Sequence, residues 1–398
     1  MTTTIPLVYD PYDYGIHEDP YPTYARLRAE APVFYNADLD FYALSRHADV
    51  QAAFRDVERF SNANGVSLDP VAYGPDAHKA MSLLAMDPPR HTRMRSIVGK
   101  SFTPRRVAEM ERHIRELTLE HLTPSLASGT FDFIADFAGR LPMDVISELV
   151  GVPRSDRAEM RRLADLLVHR EEGINDLPPE GVEAAIVMAG YYADMVADRR
   201  KHERDDLTWS LLQQEIDGER MTDEEMISFL FLLVVAGNET TTKLLGNAWY
   251  WGWRHPEQVA RPLADPRRVP DWIEETLRYD TSTQMLLRVT RQPLSLHGVD
   301  IGDGQRVLLL VGSANRDEEV FERADDYDLD RDTSDLISFG GGRHFCMGAA
   351  LARMEARIVL GELVARVASF DIDPDGMRRV HSINVRGFAA LPTTVTLR

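Results

Sequence analysis

The stretch FGGGRHFCMG at residues 339–348 decides the fold, because it places the only cysteine of the chain, Cys346, at the end of a glycine-rich loop. An apolar-periodic run from Ala349 to Val367 follows at once and predicts a helix. Three consecutive glycines cost backbone entropy, so they are expected where the backbone needs unusual dihedral angles or approaches something flat. The start of the following helix favours a thiolate by only about 0.3–1 kcal/mol, whereas a bound metal deprotonates a coordinating thiol outright. Taken alone, a single cysteine predicts an inert buried side chain, and a metal-ligating thiolate is the alternative that the glycine-rich loop leaves open.

Composition and charge exclude several classes of protein. The 398 residues have an ordinary globular composition and no visible linker, which predicts a single domain over residues 1–398. The net charge of −19 argues against binding to nucleic acid or to an anionic membrane. Met1 to Tyr14 lacks the features of a signal peptide, and the longest apolar run, Phe229 to Ala236, is too short to span a bilayer. With a single cysteine, these features predict a soluble cytoplasmic protein.

A second segment breaks the rules of the helix that contains it. Thr222 and Glu225 form a capping box, and the helix that they begin is predicted to run to about His255. It is apolar on nearly every side, so it should cross the core. Its middle, AGNETTT at residues 236–242, contains a glycine, a carboxylate and β-branched threonines, which are poor choices for a buried helix. This conflict favours a functional site, and a local kink with threonine hydroxyls bonded to backbone carbonyls is the alternative.

Both segments carry motifs of one family. The pattern Phe-x-x-Gly-x-x-x-Cys-x-Gly at residues 339–348 resembles the haem-binding loop of the cytochrome P450 superfamily, the haem-thiolate monooxygenases. The segment AGNET at residues 236–240 resembles the oxygen-activation motif of the same family. The resemblance implies a mainly α fold with a large helical domain and a smaller β-rich portion. It places haem b (iron protoporphyrin IX) between the long central helix and the cysteine loop.

The resemblance also implies roles for individual residues. Thr240 would hydrogen-bond dioxygen, and Glu239 would deliver protons toward it through water. Cys346 is the implied axial iron ligand, and Glu275-x-x-Arg278 would anchor the loop that carries it. The other implied cofactor contacts are His91, Arg95, Ala236, Arg288, Phe339, His344 and Gly348, with His91, Arg95, Arg288 and His344 near the haem propionates. The substrate pocket is expected to include Leu232, Val235, Leu286 and Val385, the last from a final hairpin formed by residues 385–387 and 391–393.

The implied reaction inserts one oxygen atom of dioxygen into a hydrophobic small molecule such as a fatty acid, terpenoid, steroid or polyketide. The sequence has no dinucleotide-binding Gly-x-Gly-x-x-Gly between a strand and a helix and no cysteine cluster for an iron–sulfur centre. Electrons are therefore expected from a separate ferredoxin and ferredoxin reductase, and the protein is expected to be a monomer. A peroxide-driven peroxygenase and a non-catalytic haem sensor or carrier are the alternatives. The Glu239-Thr240 pair argues against both, because neither needs protons delivered to dioxygen.

Overall fold

The fold is mainly helical, with a smaller portion of short strands. It was obtained as a computed structural model that describes residues 6–216 and 218–398. The α-helices are α1 (Tyr14–Glu18), α2 (Tyr21–Glu30), α3 (His47–Arg55), α4 (His78–Met81), α5 (Arg90–Val98), α6 (Pro104–Glu109), α7 (Glu111–Ser128), α8 (Leu141–Val150), α9 (Arg157–Val168), α10 (Pro179–Arg199), α11 (Leu207–Gln213), α12 (Asp223–Arg254), α13 (Pro256–Ala264), α14 (Val269–Tyr279), α15 (Val311–Ala314) and α16 (Ala349–Arg366). The strands are β1 (Val33–Asn36), β2 (Phe41–Leu44), β3 (Phe60–Ser61), β4 (Thr130–Asp132), β5 (Glu215–Ile216), β6 (Glu219–Arg220), β7 (Leu286–Thr290), β8 (Leu294–Leu296), β9 (Val299–Ile301), β10 (Arg306–Leu309), β11 (Val367–Ile372), β12 (Arg378–Arg379), β13 (Phe388–Ala390) and β14 (Pro392–Leu397).

The strands form one five-stranded sheet and several smaller ones. The larger sheet has the order β1-β2-β10-β7-β3, in which only the β2–β10 pair is parallel. A second sheet has the order β11-β14-β4. The predicted final hairpin is wrong, because β13 pairs with β12 while β14 pairs with β11 and β4. Val385 lies before β13 and forms only an isolated bridge with Thr283.

Helix α12 is the centre of the helical part. The predicted capping box is present: the Thr222 hydroxyl accepts from the Glu225 N–H at 3.1 Å, and the Glu225 carboxylate accepts from the Thr222 N–H at 3.2 Å. The helix has 32 residues and is therefore about 48 Å long. Residues near its start pack in an apolar cluster with α8 and α10, and residues near its end pack in another with α14 and α16. Since apolar neighbours cover it on most sides, the helix is buried along much of its length, as its composition predicts.

A buried ion pair at the end of α14 holds the long irregular segment that leads to the cysteine loop. Glu275 and Arg278 are 1% and 0% exposed and form two hydrogen bonds of 2.8 Å. Arg278 also donates to the carbonyl oxygens of Asn315 and Ala324, and the Glu275 carboxylate accepts from the N–H of Asp328. The pair thus satisfies backbone groups of a segment that has little secondary structure of its own.

No helix in the described ranges combines the length and the apolar character needed to cross a membrane.

Replacing Glu275 with glutamine should destabilise the protein by about 3–5 kcal/mol, because the Arg278 guanidinium would remain buried without its counter-charge. Urea unfolding followed by circular dichroism measures the change. Glu159→Gln is the matched control, since Glu159 and Arg162 form the same doubly bonded pair at the same spacing but are 52% and 58% exposed. We expect the control to unfold at nearly the wild-type urea concentration. Equal shifts in the two variants would contradict the anchoring role of Glu275.

Candidate active site

The glycines of the cysteine loop are required by the backbone conformation of the loop and by its close packing against the end of α3. Gly340 and Gly342 have φ angles of +70° and +63°, which favour glycine. A Cβ atom on Gly342 would lie 2.5 Å from the carbonyl oxygen of Phe54. The loop is closed by a hydrogen bond of 3.0 Å from the Cys346 N–H to the Phe339 carbonyl. The glycines therefore fix where the sulfur lies.

One cavity of about 290 Å³, called here the cysteine cavity, separates α12 from this loop. Most of the site residues predicted from the sequence line it, although they come from distant parts of the chain. They are Arg95, Leu232, Ala236, Thr240, Leu286, Arg288, Phe339, His344, Cys346 and Gly348. The wall thus combines an apolar surface, one thiol and several cationic or titratable groups.

Four predicted residues lie outside this wall. His91 is buried behind it, and its ring packs against that of His344 with centroids 4.0 Å apart. Val235 packs in an apolar cluster instead of facing the cavity. Val385 faces a separate small cavity beside Met285, because the strand expected there is absent. Glu239 is 2% exposed and also does not line the cysteine cavity.

The cysteine cavity has cationic groups without carboxylate partners. Arg288 is 3% exposed, and burial lowers its pKa to about 10. Its only hydrogen bond is to the carbonyl of the adjacent Leu287, and no carboxylate of the described residues lies within ion-pairing distance. Arg95 donates to the carbonyl of Phe345 at 2.6 Å, and burial also lowers its pKa. An unpaired buried guanidinium is costly, so this wall is suited to an anionic ligand.

The two histidines support the same conclusion. Burial, with the charges of Arg95 and Arg343, lowers the pKa of His91 to about 4. Burial and the charge of Arg288 lower that of His344 to about 2, so both rings are neutral near pH 7. Both ring nitrogens of His91 and Nδ1 of His344 are buried without a hydrogen-bond partner. Such groups are expected to bond to something in a native protein.

Some groups around Cys346 raise the pKa of its thiol and others lower it. Removal from water raises the pKa of Cys346. The N–H groups of Gly348 and Ala349 and the charge of Arg95 oppose this rise by stabilising the thiolate. A metal ion coordinated to the sulfur would add a much larger stabilisation.

These residues fit a haem. The thiolate of Cys346 would ligate the iron, the apolar walls would contact the porphyrin, and Arg95, Arg288 and His344 would bind its carboxylates. An N–H of the neutral His344 ring and the Arg288 guanidinium, which has no carboxylate partner among the described residues, would then donate to those carboxylates.

Phe54 and Glu355 are among the residues of the wall that were not predicted from the sequence. Phe54 lines the cavity, and its ring lies 5.3 Å from the guanidinium carbon of Arg288. Glu355 on α16 also lines it, and complete burial raises its pKa to about 8. No local signal separates Glu355 from the other charged residues of α16, such as Arg353 and Glu362. No local signal marks Phe54, because its position depends on how α3 packs.

Comparisons with known proteins agree with the site. The Cytochrome P450 family model matches residues 269–396. The putative cytochrome P450 123 of Mycobacterium tuberculosis (strain H37Rv) is 54% identical over 393 residues, which cover 98% of each chain. The chain belongs to the cytochrome P450 family. This P450 is therefore a haem-dependent oxidoreductase of the monooxygenase type.

Two further comparisons concern P450s whose ligands are named. The vitamin D(3) 25-hydroxylase of Pseudonocardia autotrophica is 35% identical, covering 99% of this chain and 98% of that protein. The crystal structure of CYP109E1 from Bacillus megaterium in complex with testosterone aligns with a TM-score of 0.89 at 30% identity, covering 96% and 99% of the two chains. The mainly α fold expected from the resemblance is thereby confirmed.

Replacing Cys346 with serine should abolish the strongly red-shifted Soret band of the reduced protein with carbon monoxide, because a neutral hydroxyl is a poor substitute for a thiolate. Absorption spectroscopy of the reduced, carbon monoxide-treated protein measures this band. Haem content, determined separately, shows whether the variant still binds the cofactor. A variant that keeps the band and its turnover would contradict the assignment of Cys346 as the axial ligand.

Proposed function

We propose that this P450 inserts one oxygen atom of dioxygen into a hydrophobic small molecule, using haem b and electrons from a separate ferredoxin and ferredoxin reductase. The observation that carries the proposal is the position of Thr240 and Cys346 in the walls of one cavity. When bound, the haem supplies a thiolate-ligated iron, which favours cleavage of the O–O bond.

The protein residues have distinct roles in this proposal. The Thr240 hydroxyl faces the cysteine cavity and donates to the carbonyl of Ala236 at 2.8 Å, so it can exchange that bond for one to dioxygen. Glu239 precedes it on the helix and supplies protons through water. Leu232 and Leu286 line the same cavity and would keep bulk water from the reacting centre while contacting an apolar substrate.

The substrate is proposed to be a fatty acid, terpenoid, steroid or polyketide, because much of the exposed surface of the cavity wall is apolar. Steroids and secosteroids are the first compounds to test. They are chosen because one relative is named a vitamin D(3) 25-hydroxylase and one similar structure contains testosterone. A panel of these compounds, titrated while the Soret band is recorded, identifies which classes displace water from the haem iron.

Thr240→Ala should still bind substrate and consume reductant but release peroxide instead of product, because the hydroxyl that would hold a proton beside dioxygen is lost. Glu239→Gln should slow product formation, since an amide cannot relay a proton by ionising. The ratio of product formed to reductant consumed measures both effects, and peroxide is assayed in parallel. Thr123→Ala is the control, because the Thr123 hydroxyl on α7 likewise donates to the carbonyl four residues earlier, at 2.6 Å, and Thr123 does not line the cysteine cavity. An unchanged ratio in both site variants would contradict these roles.

The ferredoxin is proposed to dock on the surface beside the cysteine loop. Phe345 is 44% exposed there. Arg105 is 90% exposed and contacts Glu109 at 3.3 Å, whereas Arg353 is held by two bonds to Glu274. Lys100, Arg106 and Arg343 are also exposed and have no ion pair to the described residues. These groups provide local positive charge on a protein whose net charge is −19.

Reversing the charge of Arg105 and Arg106 together, each to glutamate, should slow reduction by an acidic ferredoxin without shifting the substrate titration. Electrostatic steering acts mainly on the association rate and is screened beyond about 8 Å at physiological salt. Stopped-flow reduction at increasing salt measures the second-order rate. The control reverses Lys201 and Arg204 on the turn after α10. If reversing Lys201 and Arg204 slows reduction as much as reversing Arg105 and Arg106, the ferredoxin docks elsewhere. The same conclusion follows if the rate of reduction does not depend on salt.

A further inference from the structure

A second cavity, called here the rear cavity, lies beside the C-terminal half of α12 and has a volume of about 1190 Å³. Its wall is formed mainly by residues of α2, α9 and α12 and of the segment 374–389. None of the described residues that line it also lines the cysteine cavity. Since small-molecule sites commonly measure about 300–1,000 Å³, the rear cavity has room for an organic ligand of its own.

Positive charge prevails on the wall of the rear cavity, although the chain has a net charge of −19. Among the described residues that line it, seven are arginine or lysine and four are aspartate or glutamate. The four acids are exposed, whereas the side chains of Arg316, Arg379 and Arg386 are 6%, 10% and 5% exposed. The part of the wall that is removed from water is therefore cationic.

Arg386 has a buried counter-charge within the protein. Its Nε donates to the carboxylate of Asp280 at 2.8 Å, and its two terminal nitrogens donate to the carbonyls of His17 and Glu18. The Asp280 carboxylate also accepts from the hydroxyl of Tyr21 at 2.7 Å. Among the described residues, Asp280 forms an ion pair with Arg386 alone. It therefore does not neutralise the other two buried arginines by direct contact.

Arg316 is held in one orientation and still has an unpartnered N–H group. Its guanidinium carbon lies 3.6 Å and 3.5 Å from the ring centres of Tyr21 and Tyr279. Its Nε donates to the carbonyl of Tyr279 at 2.8 Å, and Nη1 donates to the exposed carboxylate of Asp325 at 3.3 Å. Nη2 is buried without a hydrogen-bond partner among the described residues. Because stacking fixes the plane of the guanidinium, Nη2 is a pre-oriented donor.

Arg379, on β12, is even less satisfied. Its side chain forms no hydrogen bond with the described residues, and its nearest carboxylate is that of the exposed Glu18, at 3.9 Å. Its guanidinium carbon lies 4.3 Å and 5.4 Å from the ring centres of Phe388 and Tyr250. Burial and the charge of Arg386 lower the pKa of Arg379. A buried guanidinium without a close counter-charge is costly, so an anion bound here would offset that cost.

We propose that the rear cavity binds an organic phosphate, whose phosphate group is held by Arg316 and Arg379. A phosphate monoester is close to a dianion at neutral pH and has three terminal oxygens, which suits two guanidinium groups with unpartnered N–H donors. A carboxylate has one charge and two oxygens and would satisfy this wall less well. The organic part would contact the rings of Tyr250, Trp251 and Phe388, which line the same cavity.

Isothermal titration calorimetry of the complete haem protein tests the inference, with adenosine 5′-monophosphate (AMP) and ribose 5-phosphate as probes. Chloride keeps the ionic strength constant. We expect both esters to bind more tightly than inorganic phosphate, because they fill more of the cavity, and adenosine to bind at least about tenfold more weakly than AMP, because it lacks the charged group. Affinity for AMP should fall below about pH 6, where the ester loses its second charge.

Arg379→Gln should weaken AMP binding about tenfold or more, because a hydrogen bond to a charged group is lost. Arg379→Lys should restore part of the affinity. Arg379 donates no hydrogen bond within the fold, so we expect both variants to keep the thermal stability and haem content of the wild type. Arg267→Gln is the control, because it removes the same charge from a 90% exposed side chain that does not line the rear cavity.

Three results would overturn the inference. They are no binding of either ester at millimolar concentration, adenosine binding as tightly as AMP, and Arg379→Gln binding AMP as tightly as Arg267→Gln. An AMP-induced shift of the Soret band that a hydrophobic substrate reverses would place the ester in the cysteine cavity and also overturn it. None of these measurements requires turnover, so their outcome is independent of the proposed reaction.

Discussion

The buried pair of Glu275 and Arg278 is the constraint on which the cysteine site depends. The segment between α15 and α16 has no strand or α-helix in the described residues, yet it must hold the sulfur in a fixed place. Arg278 satisfies carbonyl groups of this segment, and Glu275 satisfies an N–H group. Ser338 adds a bond of 2.6 Å from its hydroxyl to the carbonyl of Leu277. Side chains and carbonyls of the last turns of α14 thus supply the hydrogen bonds that regular secondary structure would otherwise provide in this segment. The buried pair is retained there because it positions these backbone groups.

The unpartnered polar groups in and beside the cysteine cavity couple folding to cofactor binding. Arg288 is buried without a carboxylate partner among the described residues, and both ring nitrogens of His91 and Nδ1 of His344 are buried without a hydrogen-bond partner. Each such group lowers the stability of the chain alone. A ligand that supplies carboxylates binds the folded state and not the unfolded one, so it stabilises the fold by mass action. The chain, strongly acidic overall, therefore concentrates positive charge where the haem carboxylates are expected.

The sequence predicted the elements whose signals are local. The capping box of Thr222 and Glu225, the helix that it begins and the tight glycine loop before Cys346 all follow from neighbouring residues. It did not predict which residues face the cavity when the helix is apolar all around. Val235 and Ala236 are adjacent, but only Ala236 lines the cavity, and an apolar helix has no periodicity from which its rotation could be inferred. The prediction that Val385 lines the substrate pocket was wrong for another reason. The position of Val385 depends on strand pairing between distant segments.

The same lack of periodicity leaves the surroundings of Glu239 unpredicted. An acid in the middle of an apolar helix predicts a buried partner, and Glu239 has one in Lys243, at 3.1 Å and one turn later on the same helix. Both side chains are almost completely buried, and the Asn238 amide adds a bond to the Glu239 carboxylate at 3.2 Å. Thr240 is the next residue, yet it lines the cysteine cavity, since consecutive side chains lie about 100° apart around the axis. The helix therefore places a charged pair beside the cysteine cavity, while apolar residues such as Leu232 form the wall itself.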